Sequence, residues 1–135
     1  KNPLKKKVHF PLEDRIKLAK KATKNFSKIQ VLYLDKIVKS SRSINLVNYL
    51  IKKKKFKDIF FIIGSDILLE FHKWKSWKKL LKLTKLVVFS RRGYDKKSKK
   101  SIVVKFLKNN KITYIKNKPI LISSSSIRNK LIKKF

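Results

Sequence analysis

Residues Ile120 to Leu131, reading Ile-Leu-Ile-Ser-Ser-Ser-Ser-Ile-Arg-Asn-Lys-Leu, join a short apolar strand to a hydroxyl-rich turn and a basic helix start, a pattern suited to holding phosphate. A helix beginning at Ser124 or Ser125 leaves its first backbone N–H groups unpaired, and its dipole adds partial positive charge at the same end. The Ser hydroxyls can cap those groups or turn toward a bound anion. Arg128 lies early in that helix, where its planar guanidinium can return over the helix end and grip phosphate oxygens in bidentate fashion. The plain alternative is that a Ser run before a helix is only a start signal.

A second segment shifts the balance. The apolar run Ile59-Phe60-Phe61-Ile62-Ile63 stops at Gly64-Ser65-Asp66. Five apolar residues rich in β-branched and aromatic types, ended by Gly, predict a fully buried central strand of a parallel sheet. Gly64 lets backbone approach a ligand closely. Asp66 puts a carboxylate just beyond the carboxyl end of that strand, where open α/β sheets bind nucleotides and a carboxylate accepts from ribose hydroxyls. The competing assignment makes Asp66 the cap of a helix from Ile67 to Phe71. The chain has only two glycines, Gly64 and Gly93, each at a turn after an apolar run, which predicts that a side chain at either would obstruct the backbone.

Three stretches together carry a resemblance: Phe61 to Trp74 with its Gly-Ser-Asp and Phe-x-x-Trp, Val87 to Tyr94 with its Arg-x-Gly-Tyr, and Ile122 to Arg128. In order and spacing they resemble bacterial nicotinate-nucleotide adenylyltransferase, of the nucleotidyltransferase superfamily, over almost the whole chain from Asn2-Pro3-Leu4-Lys5 onward. The Gly-x-Asp and Ser-rich elements are widespread in that superfamily, whereas Phe-x-x-Trp and Arg-x-Gly-Tyr make the narrower assignment. The resemblance implies adenylyl transfer from ATP to nicotinate mononucleotide, giving deamido-NAD and pyrophosphate. It implies that Gly64 and Asp66 contact the adenosine part, and that Lys5, Arg91, Ser124, Ser125 and Arg128 face the triphosphate. Trp74 would stack on the nicotinate ring with backbone around Lys75 near its carboxylate. Ser43 and Asn45 fall where the family has a Ser-Tyr-Thr element touching the nicotinate end; here the sequence is Ser43-Ile44-Asn45. Mg2+ would escort the triphosphate, with most of its ligands from phosphates and water.

The largest departure is the family's Gly-rich segment with its His-x-Gly-His pair, which has no counterpart in these residues. Neither His9 nor His72 has that setting, so both are read as ordinary and no catalytic residue is assigned. With Lys1 first and no Met, the expectation is one nucleotidyltransferase domain over residues 1–135, N-terminally shortened by a strand and a helix and clipped at the tail. Such a piece would keep half of a binding site and little turnover, because in-line attack on the α-phosphorus depends on positioning and on stabilising charge at the phosphoryl oxygens.

The balance of 39 basic against 7 acidic residues gives a net charge of +32, which ordinarily argues for nucleic acid. Only five of the basic residues are Arg, and the Lys residues run through every segment, accompanied by many Ile, Asn and Phe, as in an AT-rich coding sequence. No RNA-reading or helix-turn-helix motif accompanies them, so no specific nucleic acid is expected; a basic nucleic-acid-binding module and a phosphopantetheine-type adenylyltransferase are the alternatives. Absent cysteine excludes a disulfide framework and a thiolate metal site, and two isolated His cannot build a zinc site. No apolar stretch reaches the length of a membrane span and no signal peptide is visible, so a cytoplasmic enzyme is expected.

The elements that must position these residues alternate, predicting an α/β, Rossmann-like nucleotidyltransferase fold, a mostly parallel sheet with helices on both faces. Pro11, Glu13 and Asp14 open a helix whose Ile16, Leu18, Ala19 and Ala22 would face the sheet. Ile29 to Leu34 reads as a strand, and Ser43 as the cap of a helix with Leu46, Val47, Leu50 and Ile51 on one side. After Asp66 come two helical turns around Trp74 and Trp77, the latter read as core, then strand Leu86 to Phe89. A helix from about Ser101 to Asn109 leads to strand Ile112 to Ile115. The lysine run Lys96 to Lys100 is expected to be a mobile loop.

Overall fold

The computed structural model describes residues 10–108 and 112–118. Lys5 and the whole Ser-rich element with Ser124, Ser125 and Arg128 lie outside the described residues. The chain divides into two compact units, Lys1–Ile59 with Lys73–Thr84, and Phe60–His72 with Lys85–Phe135.

The second unit carries the sheet. Strands β1 (Phe60–Gly64), β2 (Lys85–Phe89) and β3 (Ile112–Ile115) are parallel and lie in the order β1-β2-β3. The register aligns Phe61 with Leu86 and Ile112, and Ile63 with Val88 and Tyr114. Because side chains alternate across a strand, these residues share one face, and it is the buried one: Ile63, Leu86 and Val88 belong to the core. Helix α4 (Ser65–Glu70) packs against β1 and β2, and also against α6 (Asp95–Ser98) and α7 (Ile102–Leu107). Leu68, Phe71, Val88 and Val103 are all fully enclosed, each worth about 1.5–3 kcal/mol of burial. Ser101 starts α7 as expected, its hydroxyl accepting from the Val104 N–H at 3.4 Å, and the helix ends at a left-handed Lys108.

The expected α/β class and strand β3 agree with the structure, and β1 and β2 agree to within a residue. Several finer expectations do not. Strand β1 is not buried throughout: Phe60 is 55% and Ile62 66% exposed, so the strand alternates, and β2 is the central strand among the described residues. An unbroken apolar run fixes hydrophobicity but not how many faces are covered. Lys85, the register partner of Phe60, holds its ammonium 5.5 Å from that ring, shielding it in part. The run Lys96–Lys100 is not wholly loop. Its first half is the turn of α6, and Ser98 in its middle is fully buried with its hydroxyl donating to the Asp95 carbonyl at 2.9 Å.

In the first unit, α1 (Leu12–Thr23) buries no residue, so Ile16, Leu18, Ala19 and Ala22 do not make a core face. Ile29 to Leu34 forms no strand. The chain before it closes into turns, with the Phe26 and Ile29 N–H groups donating to the Thr23 and Phe26 carbonyls, and an apolar run becomes a strand only when a ladder partner takes its backbone groups. Helix α2 (Asp35–Val38) packs on α3 (Ser43–Lys52), and α3 on α5 (Trp77–Leu83). The core residues of α3 are Ile44 and Val47, and those of α5 are Leu80 and Leu81. Ser43 does not cap α3: it is the first helical residue, and Arg42 occupies the cap position without a side-chain cap bond, while the Ser40 hydroxyl accepts from the Arg42 N–H at 3.2 Å.

Candidate functional site

Strand β1 runs into α4 with no intervening loop. The backbone at Gly64 is extended (φ −85°, ψ 158°) and Ser65 is already helical. Gly64 and Phe89 are register partners, so the carboxyl ends of β1 and β2 lie side by side. The residues just past Gly64 therefore face those just past Phe89, which is how a parallel sheet converges groups from distant parts of a sequence.

Past Gly64 come Ser65 and Asp66, and past Phe89 come Ser90 and Arg91. Arg91 Nη1 lies 2.8 Å from Asp66 Oδ2 in an ion pair whose side chains are 56% and 22% exposed. Asp66 is thus not the helix cap, and no side-chain cap bond is made at the start of α4. An exposed pair of this kind is worth about 0.2–1 kcal/mol, so the guanidinium can leave the carboxylate at small cost for a more highly charged partner. The other carboxylate oxygen, Oδ1, is buried with no hydrogen-bond partner among the described residues. A Cβ added at Gly64 would stand 2.5 Å from that oxygen. The expectation that a side chain at either glycine would obstruct the backbone is not met in that form: at Gly64 the atom in the way is the Asp66 carboxylate, the end of a side chain. Gly93 meets a different need, a φ of +84° in the turn after Arg92, with nothing within 4 Å of an added Cβ.

Three side chains that motif reasoning passed over organise this corner. Ser65, almost fully buried, accepts from the Arg91 backbone N–H at 3.0 Å. Asp95, the first residue of α6, reaches back to accept from the same N–H at 3.0 Å through Oδ1, and from the Ser90 hydroxyl through Oδ2. The signal available in sequence was slight: a hydroxyl inside Gly-Ser-Asp, and one of only seven acidic residues placed directly after Gly-Tyr. Those bonds hold the Asp95 carboxyl below the usual carboxylate range. The Ser90 hydroxyl contributes most, followed by the Ser65 hydroxyl and the Arg91 N–H, with Lys99 adding attraction and burial opposing. A lowered folded-state value means that the network's stabilisation is present above the ordinary unfolded-chain value and is lost only as pH falls through the lowered one. The Arg91 amide resonance should accordingly stay fixed while acid is brought through the ordinary carboxylate range, and move only below it. A midpoint at or above the ordinary value would contradict this geometry.

The remaining expected residues lie in the first unit. Trp74, which follows the 3-10 turn Phe71–Lys73 in sequence, is half-buried, its carbonyl accepting from the Trp77 N–H at 3.2 Å; Lys75 is exposed. Ser43 is half-buried. Asn45 is exposed and donates from Nδ2 to the Ser40 hydroxyl at 2.9 Å. So Gly64, Asp66 and Arg91 come together in one unit, while Ser43, Asn45, Trp74 and Lys75 belong to the other. Among the described residues no helix is long and apolar enough to cross a membrane.

A family model described as cytidylyltransferase-like matches residues 1–130. A probable nicotinate-nucleotide adenylyltransferase of Pelagibacter ubique is 42% identical over 127 residues, covering 94% of this chain and 70% of its own length. One of Aquifex aeolicus is 33% identical, covering 91% of this chain and 76% of its own length. Another, of Clostridium acetobutylicum, is 33% identical over 90% of this chain and 62% of its own length.

Proposed function

We propose that this chain, which belongs to the cytidylyltransferase-like nucleotidyltransferases and among them to the nicotinate-nucleotide adenylyltransferase family, transfers the adenylyl group of ATP to nicotinate mononucleotide in NAD biosynthesis. An oxygen of the mononucleotide phosphate attacks the α-phosphorus of ATP in line, the bond to the bridging oxygen breaks, and pyrophosphate departs, leaving deamido-NAD. No covalent enzyme intermediate is required. The chain's task is to fix the two substrates and to balance the charge that moves onto the leaving phosphates.

The observation that carries this reading is the Asp66–Arg91 pair at the carboxyl ends of two adjacent parallel strands. On this reading Gly64 and Asp66 receive the adenosine part, and Arg91 turns from Asp66 to the triphosphate, joined there by Lys5, Ser124, Ser125 and Arg128. Trp74 stacks on the nicotinate ring, with Lys75, Ser43 and Asn45 at the same end. Adenylyltransferases of this kind use ATP with a divalent metal; the ion we infer is Mg2+, entering as part of the substrate on phosphate and water oxygens. The reading includes a single nucleotidyltransferase domain over residues 1–135, a cytoplasmic location and no specific nucleic acid. A phosphopantetheine-type acceptor is disfavoured because it gives no role to the Phe71 to Trp74 element.

The test is turnover of ATP with each acceptor by the protein at its natural length, followed as pyrophosphate release. Trp74→Ala should raise KM for nicotinate mononucleotide by about tenfold, the loss of one stacking contact of ~1–1.5 kcal/mol, with KM for ATP nearly unchanged. Equal changes in both constants would make Trp74 a packing residue. Tight binding of single or double strands that weakens steeply with salt would favour the nucleic-acid module.

A further inference from the structure

The geometry points to Asp95 as a positioning residue for the reaction, one that aims the Arg91 guanidinium by clamping the Arg91 backbone; this rests on the reading that Arg91 serves the triphosphate. Arg91 has an exposed side chain on a long flexible stem, so the direction in which its Cα–Cβ bond leaves the chain decides where the charge can go. That direction is set by a single peptide group held from two sides. Ser65, coming from the end of β1, and Asp95, coming from the start of α6, both take the Arg91 N–H at 3.0 Å. The Ser65 hydroxyl also faces the Arg91 carbonyl at 3.5 Å, and the Tyr94 N–H donates to the same carbonyl at 3.0 Å. Asp95 additionally receives the Ser90 hydroxyl, which ties the preceding residue into the same clamp.

Two features separate aiming from mere support. First, the end of β2 does not need Asp95, because the Ser90 N–H is already bonded to the Ile115 carbonyl of β3 at 2.9 Å. Second, Asp95 spends its charge on the Arg91 backbone and leaves the guanidinium to Asp66, which is placed to yield it to an incoming polyphosphate. A carboxylate paired directly with the guanidinium would compete with phosphate; one bonded to the backbone orders the residue without competing.

In the protein at its natural length, Asp95→Ala should raise KM for ATP by about tenfold, the equivalent of one charge-assisted contact weakened, while KM for nicotinate mononucleotide changes little. Asp95→Asn, which keeps an acceptor for the Arg91 N–H, should recover most of that loss. Added to Arg91→Ala, Asp95→Ala should cost nothing further, since it acts through the same side chain. Additive losses, equal shifts in both KM values, or an unchanged KM for ATP would overturn the proposal. If the unmodified protein fails to turn over ATP with nicotinate mononucleotide, the functional reading falls, and the clamp is then judged by amide hydrogen exchange. Asp95→Ala should speed exchange of the Arg91 N–H, and unaltered protection would overturn the clamp as well.

Discussion

If Gly64 and Asp66 receive the adenosine part as proposed, Gly64→Ala should lower kcat/KM for ATP on the order of a hundredfold while the protein still folds, the magnitude that follows when binding groups are displaced by about an ångström. The backbone gives no reason for the loss, because φ −85° and ψ 158° suit any residue. Alanine there would even reduce the freedom of the unfolded chain, worth about 0.4–1 kcal/mol in favour of folding. The damage comes from the methyl group. It would stand 2.5 Å from Asp66 Oδ1, 3.7 Å from Asp66 Cγ and 3.9 Å from Arg91 Cδ, so the carboxylate must rotate away and the 2.8 Å bond to Arg91 goes with it. Steady-state kinetics beside a thermal unfolding curve decide the matter. Unfolding near the original temperature with a large rise in KM for ATP or fall in kcat fits the argument. Unaltered kinetics would mean that Asp66 can shift without consequence, and would remove it from the adenosine side.

How much of this corner was legible in the sequence depends on which interactions are local. Gly64-Ser65-Asp66 and Arg91-Arg92-Gly93 both stood out as turns at strand ends, since an apolar run broken by a glycine is visible without knowing its neighbours. Their meeting was not visible, because register between β1 and β2 is set by the sheet as a whole, and Asp66 read equally well as a helix cap. Asp95 escaped for a related reason: its bonds run backwards along the chain to Ser90 and Arg91, where no capping pattern looks for a partner. Ile29 to Leu34 and Ile59 to Ile63 show the opposite failure. Both are largely apolar and carry β-branched residues, yet among the described residues the first has no ladder and the second leaves Phe60 and Ile62 open on one face. Hydrophobicity selects segments that want burial; only the completed packing says which of them receive it.

Phe71→Ala should remove about 3–5 kcal/mol of stability, a large share of the ~5–15 kcal/mol that holds a typical domain together. Phe71 is fully buried at the point where α4 gives way to the 3-10 turn, and its ring meets the Phe61 ring edge-on at 5.9 Å and 68°. Phe61 is the register partner of Leu86, so this contact fastens the end of α4 to the face of the sheet on which the core is built. The same helix carries Asp66 at its other end. Phe71 also opens the Phe-x-x-Trp element, which makes a substrate role conceivable, and the two roles separate cleanly. Denaturant unfolding should place Phe71→Ala several kcal/mol below the parent and Phe71→Leu within about 1.5 kcal/mol of it, because leucine keeps most of the volume. The fraction that remains folded should bind nicotinate mononucleotide with nearly its original KM. A small loss of stability with a large rise in that KM would give Phe71 a part in binding the mononucleotide instead.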